Sequence, residues 1–249
     1  MADHSKMRLG RKAIKTDSRT LMMANYLPPT LPPPPPAFDW TKGITAWGMM
    51  LNDTLGDCTI AGAAHAVQVW SANTGGEVTV PDPTILSYYE QWDGYVQGQP
   101  NTDSGGVELD VLNNWQKNDF ADRKLLAFAD PKPSNLVEIR QSIHMFGGVY
   151  IGLALPNTAQ KQDVWDVVKT GGADAKPGSW GGHCVFVPKY DEKGFTCITW
   201  GALKTMTLAF WEKYCDEAHT LLSEVWITAK GSPAGFDQTQ LLADLKAIK

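Results

Sequence analysis

Asn52-Asp53-Thr54-Leu55-Gly56-Asp57-Cys58, continuing as CTIAGAAHAVQVWSAN from Cys58 to Asn73, is the stretch on which the reading of this chain turns. From Cys58 onward it is rich in alanine, and apolar residues at 60, 63, 64, 67 and 70 keep the spacing of one helix face. Asp57 stands at the N-cap position. The pattern predicts a central, buried helix that opens on a cysteine. At such a position unpaired N–H groups and the helix dipole favour the thiolate, the reactive form of the side chain. A small buried core residue is the alternative for Cys58. Asn52, six residues earlier in a loop containing Gly and Asp, has an amide able to reach back beside the Cys58 N–H. Two donors there would make an oxyanion hole, whereas an Asx-turn with Asp53 would use the same amide locally.

Outward from this stretch, helical spacing recurs at about 84–97, 107–118 and 134–146, the last with Ser134 as its cap. After Gly147-Gly148 the character changes. VYIGLAL, HCVFVPKY, FTCITW and LLSEVWIT are runs of β-branched and aromatic residues separated by turn signals such as Asp191-Glu192-Lys193-Gly194. Helices are expected again at 207–217, started by Thr207, and at 236–247. The fold class is therefore α+β, a helical part followed by a mainly antiparallel sheet, with 156–182 as a long Gly/Asp-rich loop.

Trp180-Gly181-Gly182-His183-Cys184-Val185-Phe186-Val187 puts a histidine at the entry of an apolar strand, behind glycines that permit close approach. A base for the Cys58 thiol must come within hydrogen-bond reach, and His183 is the best placed of five histidines. A strand-end histidine bonded to backbone is the alternative. His65 follows Cys58 by two turns, about 10 Å along the axis, and reads as a packing residue. Cys58, His65, His183 and Cys184 are the set to consider for a metal, but their spacing is not diagnostic of zinc, and neither a metal nor a cofactor is expected.

With these residues in view, the chain resembles the papain-like cysteine peptidases, in which an oxyanion Gln precedes by six residues a Cys that opens a central helix. FDWTKGITAWGMMLNDTLGDCTIAGAAHA, residues 38–66, also resembles the mature start of that family. Asn52 stands where the family has Gln. The Asp57-Cys58 pair resembles the bacteriocin-leader-processing peptidases, a related branch. The resemblance implies a two-lobed fold with the site in the cleft: a helical lobe at about 37–146 and a sheet lobe at about 147–249. It implies Cys58 as nucleophile, His183 as base, and a third member near Ile198-Thr199-Trp200-Gly201. There the family has NSWG, and Thr199 is the polar candidate. Trp200 would shield the histidine. Gly105-Gly106 resembles the family's Gly-Gly segment that binds extended substrate by its backbone, with a plain turn as the alternative; Asp57, Trp180 and Gly182 complete the expected substrate-binding set. The activity implied is hydrolysis of a peptide or related amide bond. A non-catalytic binding or assembly protein, or an acyltransferase on the same scaffold, are the other outcomes.

Residues 1–36 form a separate segment. Up to residue 25 it holds six Lys/Arg against two Asp, a local +4, which leaves -9 on the rest of a chain whose net charge is -5. PPTLPPPPP at 28–36 predicts a stiff polyproline II strap. The basic arm suits docking on the acidic body or on another subunit, or else a solubilising mobile terminus. It is shorter than the helical propeptide of papain itself, and covering the cleft is a further expectation for it. The acidic body argues against nucleic acid as the main partner. No run of 18 or more apolar residues suggests a membrane span, and no apolar signal core opens the chain, so a cytoplasmic location with free thiols is expected.

Overall fold

The computed structural model describes residues 3–248; Met1, Ala2 and Lys249, the outermost residues of the expected arm and body, lie outside it. After the strap, a short strand β1 (Phe38–Asp39) precedes the helices. Helix α1 (Cys58–Thr74) forms where the alanine-rich stretch predicts it, and every residue from Cys58 to Ser71 is buried. A helix covered on all sides needs no polar face, which explains its uniformly apolar and small composition. Asp57 occupies the N-cap position without a side-chain cap bond. α2 (Asp82–Asp93) stops short of the expected 97 because Gly94 turns into the left-handed region (φ 79°), and α3 (Glu108–Lys117) follows. α4 (Leu136–Phe146) is capped by Asn135 rather than Ser134: the Asn135 side chain accepts from the Glu138 N–H at 3.4 Å and donates to its carboxylate at 2.7 Å.

Between α3 and α4 the expected helical half contains a strand, β2 (Leu125–Ala129). Its Leu-Leu-Ala-Phe-Ala run lacks β-branched residues, and pairing with a strand from the far end of the chain holds it extended. The later strands are β3 (Val149–Leu155), β4 (Gly181–Tyr190), β5 (Gly194–Thr199) and β6 (Ala202–Thr207). Helix α5 (Leu208–Tyr214), with Thr207 accepting from the Phe210 N–H, leads into β7 (Cys215–Ser223). LLSEVWIT is split: Leu221–Ser223 ends β7, and Glu224 opens α6 (Glu224–Lys230). α7 (Gln238–Ala247) closes the described chain, capped by Asp237.

The strands make one antiparallel sheet in the order β2-β7-β3-β4-β5-β6, with β1 added to β4. Side chains alternate across it. Tyr150 and Phe186 face α1 with Trp70 and Trp115, while Ile151, Leu153, Val185 and Val187 face a second core with Phe195, Trp165 and Trp211. At β3 and β4 both faces are therefore dry, which is why those strands read as unbroken apolar runs, whereas β6 leaves Ala202, Leu203 and Thr205 exposed. This is the α+β class expected from the sequence, helices packed on a mainly antiparallel sheet. No helix among the described residues is long and apolar enough to cross a membrane.

The N-terminal segment is bound to this body. Met23 and Tyr26 join a third apolar cluster with Phe146, Phe236 and Leu241. The strap is not extended throughout, since Leu31 N–H closes a turn on the Pro28 carbonyl at 3.0 Å, and it is pinned further on where Tyr190 Oη donates to the Pro35 carbonyl.

Candidate active site

Where α1 begins, it meets the entry of β4. The Cys184 N–H points at Cys58 Sγ, 3.3 Å away, so the residue after His183 touches the cysteine directly. Close approach depends on Gly62: a Cβ there would come within 3.0 Å of the Tyr150 ring and 3.3 Å of Cys184 Sγ. β5 runs beside β4 and delivers Thr199, whose Oγ1 lies 2.7 Å from His183 Nε2. The other ring nitrogen, Nδ1, is buried without a hydrogen-bond partner. Trp200, in the left-handed region at φ 48°, lays its ring over His183 with centroids 4.7 Å apart and planes within 17°. Trp180 packs on Trp200 in turn, at 5.6 Å.

Burial sets the protonation of this pair. It pushes the Cys58 thiol up to about 12, with the Asp57 charge adding to it and backbone N–H bonds from Cys184 and Gly10 opposing it. Burial, helped by the positive charge of Arg11, lowers His183 to about 3. The covered site thus holds a neutral thiol and a neutral imidazole, and the helix N-terminus expected to favour the thiolate is outweighed by desolvation.

The Asn52 amide is directed elsewhere than expected. Its Nδ2 donates to Asp57 Oδ1 at 3.1 Å and to the Leu55 carbonyl at 3.3 Å, so both amide hydrogens stay inside the loop before Cys58. That loop is strained, with Met50 and Leu51 both at positive φ (55° and 63°). Burial holds the Asp57 carboxyl far above the usual range, and its Oδ2 has no partner. His65 is the packing residue expected, its Nε2 2.9 Å from the Gly48 carbonyl.

Residues Leu9–Lys12 of the arm run through the space between the two sides of the site. Gly106 N–H donates to the Gly10 carbonyl and Gly106 carbonyl accepts from Lys12 N–H, both at 2.8 Å, while Arg11 N–H donates to the Gly182 carbonyl at 3.0 Å. The fit requires glycines on both strands of contact. A Cβ on Gly10 would overlap the Gly56 carbonyl, and one on Gly105, itself at φ 78°, would overlap the Gly10 carbonyl. Outside the cleft, Arg8 pairs with Asp103 at 2.8 Å, and His4 stacks on Trp200 with ring centroids 5.0 Å apart. Gly105, Gly106, Gly182 and Trp200 are thus gathered around one peptide segment, the chain's own; Trp180 borders it through Trp200.

The Arg11 side chain enters a cluster that the sequence reading did not single out. Its Nη2 lies 2.8 Å from the Asp216 carboxylate, its Nη1 3.2 Å from Glu217 Oε2, and its Nε 3.8 Å from Glu108 Oε1. His219, between Asp130 (2.5 Å) and Glu217 (3.2 Å), lies behind them. A signal existed: Glu108 falls on the apolar stripe of its helix with Val111, Leu112 and Trp115, where a charge is out of place.

Comparison with solved structures shows the same fold. Xylellain, a cysteine protease from Xylella fastidiosa, matches at a TM-score of 0.63 and 14% identity over 89% of this chain and 98% of that one. Procathepsin B S9 from Trypanosoma congolense matches at 0.55 and 12% over 89% and 88%. Procathepsin L 3 from Tenebrio molitor larval midgut matches at 0.56 and 10% over 88% and 76%. No protein-family model matches the sequence, and no curated protein sequence does.

Proposed function

We propose that this chain is a papain-like cysteine hydrolase of peptide or related amide bonds, held in a self-covered form by its N-terminal arm. The observation that carries the reading is the arrangement of Cys58 and His183. The cysteine opens a buried helix against the strand entry that bears the histidine, and the histidine has one nitrogen bonded to Thr199 and the other bare. With the arm displaced and water admitted, the desolvation that keeps both groups neutral is relieved. Cys58 Sγ then passes its proton to His183, and the thiolate attacks the substrate carbonyl carbon. The Cys58 N–H, with the Asn52 amide turned from Asp57, stabilises the oxyanion. The imidazolium protonates the departing amine, leaving a thioester, and His183 deprotonates the water that releases the acid. Gly106 and Gly182, whose backbones hold the arm, offer the same bonds to an extended substrate. The Asp57-Cys58 pair resembles the bacteriocin-leader-processing branch, while the other motifs resemble papain-type enzymes, so the reading is of the superfamily and of no single branch.

A fluorogenic peptide library presented to the full chain and to a Gly10→Val chain tests this. Turnover that rises with arm displacement and disappears in Cys58→Ala and His183→Ala is expected. Absence of turnover from a folded Gly10→Val chain whose Cys58 alkylates freely would favour the second reading, a non-catalytic binding protein. That reading is supported by the local use of both Asn52 amide hydrogens. Product analysis with an added amine separates hydrolysis from acyl transfer.

A further inference from the structure

The geometry points to a divalent-cation site in the body, formed by Glu108, Glu217 and His219, with zinc as the ion its donors suit and the Arg11 guanidinium as the substitute in the covered chain. The inference goes beyond the hydrolase reading and does not rest on it. None of the three residues belongs to the set that the sequence puts forward for a metal.

Three observations make this a ligand site rather than a charge cluster of the fold. First, the donors converge. One ligating atom from each of the three buried side chains lies within 4.8 Å of the others. His219 Nε2 is 3.2 Å from Glu217 Oε1 and 3.7 Å from Glu108 Oε2. A tetrahedral zinc ion with bonds of about 2.0–2.2 Å needs donors spaced at about 3.3–3.6 Å. Glu217 and His219 stand two apart on β7 and so share a face of the strand, and Glu108 opens α3 beside them. Second, the imidazole is held as a ligand is held. Its Nδ1 lies 2.5 Å from Asp130 Oδ1, and this carboxylate turns Nε2 toward the two glutamates. A metal-bound histidine ordinarily has such a partner behind it. Third, Glu108 is an acceptor without a donor. Its side chain is fully covered, and neither oxygen has a hydrogen-bond partner. A buried carboxylate in this state costs the fold free energy unless a cation reaches it.

Arg11 supplies a cation in the covered chain, but it serves Glu108 poorly. Its Nη1 is 3.2 Å from Glu217 Oε2, whereas its Nε stands 3.8 Å from Glu108 Oε1, beyond hydrogen-bond reach. Both ring nitrogens of His219 face carboxylate oxygens, so both carry protons in this form. One dication therefore replaces two unit charges, the guanidinium and the Nε2 proton, and the charge of the cluster is unchanged. Arg11 belongs to the arm and the three ligands to the body. Ion and arm thus compete for the same carboxylates, and cation binding favours the uncovered cleft.

The test titrates the full chain carrying Arg11→Gln with Zn²⁺ by calorimetry and with Co²⁺ by absorption. One equivalent is expected, bound at least roughly tenfold tighter than by the parent, in which the guanidinium must first leave. The cobalt spectrum is expected to show visible bands without thiolate charge transfer, which separates this site from Cys215 and the other cysteines. Glu108→Gln in the same background removes an oxygen donor and the stranded charge together, so the fold is kept while the binding is lost. Asp130→Asn is expected to weaken binding by about tenfold to a hundredfold. Where Arg11→Gln unfolds the chain, Zn²⁺ is expected to refold it and to raise its unfolding midpoint with concentration; no metal-dependent refolding overturns the site. A folded Arg11→Gln chain that binds neither ion, or whose binding survives Glu108→Gln, overturns it as well. All of these readouts are taken without substrate, so failure of the hydrolase reading leaves the site standing, and the reverse.

Discussion

His183 Nε2 and Thr199 Oγ1 lie 2.7 Å apart in the dry interior between β4 and β5, and this bond fixes which ring nitrogen is left free. The hydroxyl both accepts and donates, so it holds either tautomer of the ring. Thr199→Val keeps the shape of the side chain and removes the bond. The expected result is a fall in kcat/KM of roughly tenfold to a hundredfold, mostly in kcat, with Thr199→Ser close to the parent. The pH profile distinguishes orientation from packing: loss of the bond shifts the limb that reports His183, whereas a packing defect lowers the whole curve.

Gly10 and Cys58 are similarly coupled. Burial under the arm pushes the Cys58 thiol up to about 12, so at neutral pH the covered chain presents no thiolate. Gly10→Val drives a Cβ toward the Gly56 carbonyl and forces the arm outward. Iodoacetamide labelling of Cys58 at pH 7.5, followed by peptide mass spectrometry, is expected to accelerate at least about tenfold in that variant. Cys197, fully buried on β5 with its thiol directed at the Lys204 carbonyl, serves as the internal control. Equal labelling of Cys58 in both chains would mean that the arm does not govern its reactivity.

Asn52 separates a structural from a catalytic role. Its amide supplies the hydrogen bond to Asp57 Oδ1, and Asp57 is fully buried. Asn52→Ala should cost about 1–3 kcal/mol of unfolding free energy by leaving that oxygen unpaired. If the amide also turns to the oxyanion, kcat falls by a further ~10²–10³ at constant KM. Denaturant unfolding and steady-state kinetics on the same preparation read the two effects apart.

What the sequence makes legible follows from where periodic burial is strong. α1 and the β3–β4 strands have their environment written into them, because an alanine-rich helix and β-branched runs suit a fully covered site. The nearness of Thr199 to His183 could be framed as a choice between Ile198 and Thr199 only through the resemblance to the papain-like family, and the polar side chain of Thr199 favours it. β2 and the helical half of LLSEVWIT were hidden because tertiary pairing, not local preference, decides them. The amide direction of Asn52 depends on a loop with two residues at positive φ, which no pattern announces. The acidic cluster joins Arg11, Glu108 and Glu217, which stand 97 and 109 positions apart along the chain and carry no shared motif.

His219 gives the charged cluster around Arg11 a measurable signature in stability. Burial alone would lower this imidazole, but the charge and hydrogen bond of Asp130, with Glu217 and Glu108, outweigh it and raise the group to about 10. Because the folded value lies above the ordinary one near 6.5, the stabilisation is complete below about pH 6.5 and is lost as pH rises through about 10. Urea unfolding at pH 6, 8 and 10 should therefore show a falling free energy across that window. Burial also raises the Glu108 carboxyl to about 8, so it adds to the fall below that pH, and the part between pH 8 and 10 belongs to His219. His219→Gln should remove that upper part while lowering stability at pH 6 by about 3–5 kcal/mol, since it leaves Asp130 and Glu217 without their cation. A variant whose pH dependence parallels the parent's would show that the imidazole is uncharged in the folded chain, and that the carboxylates around Arg11 are balanced by the arm alone.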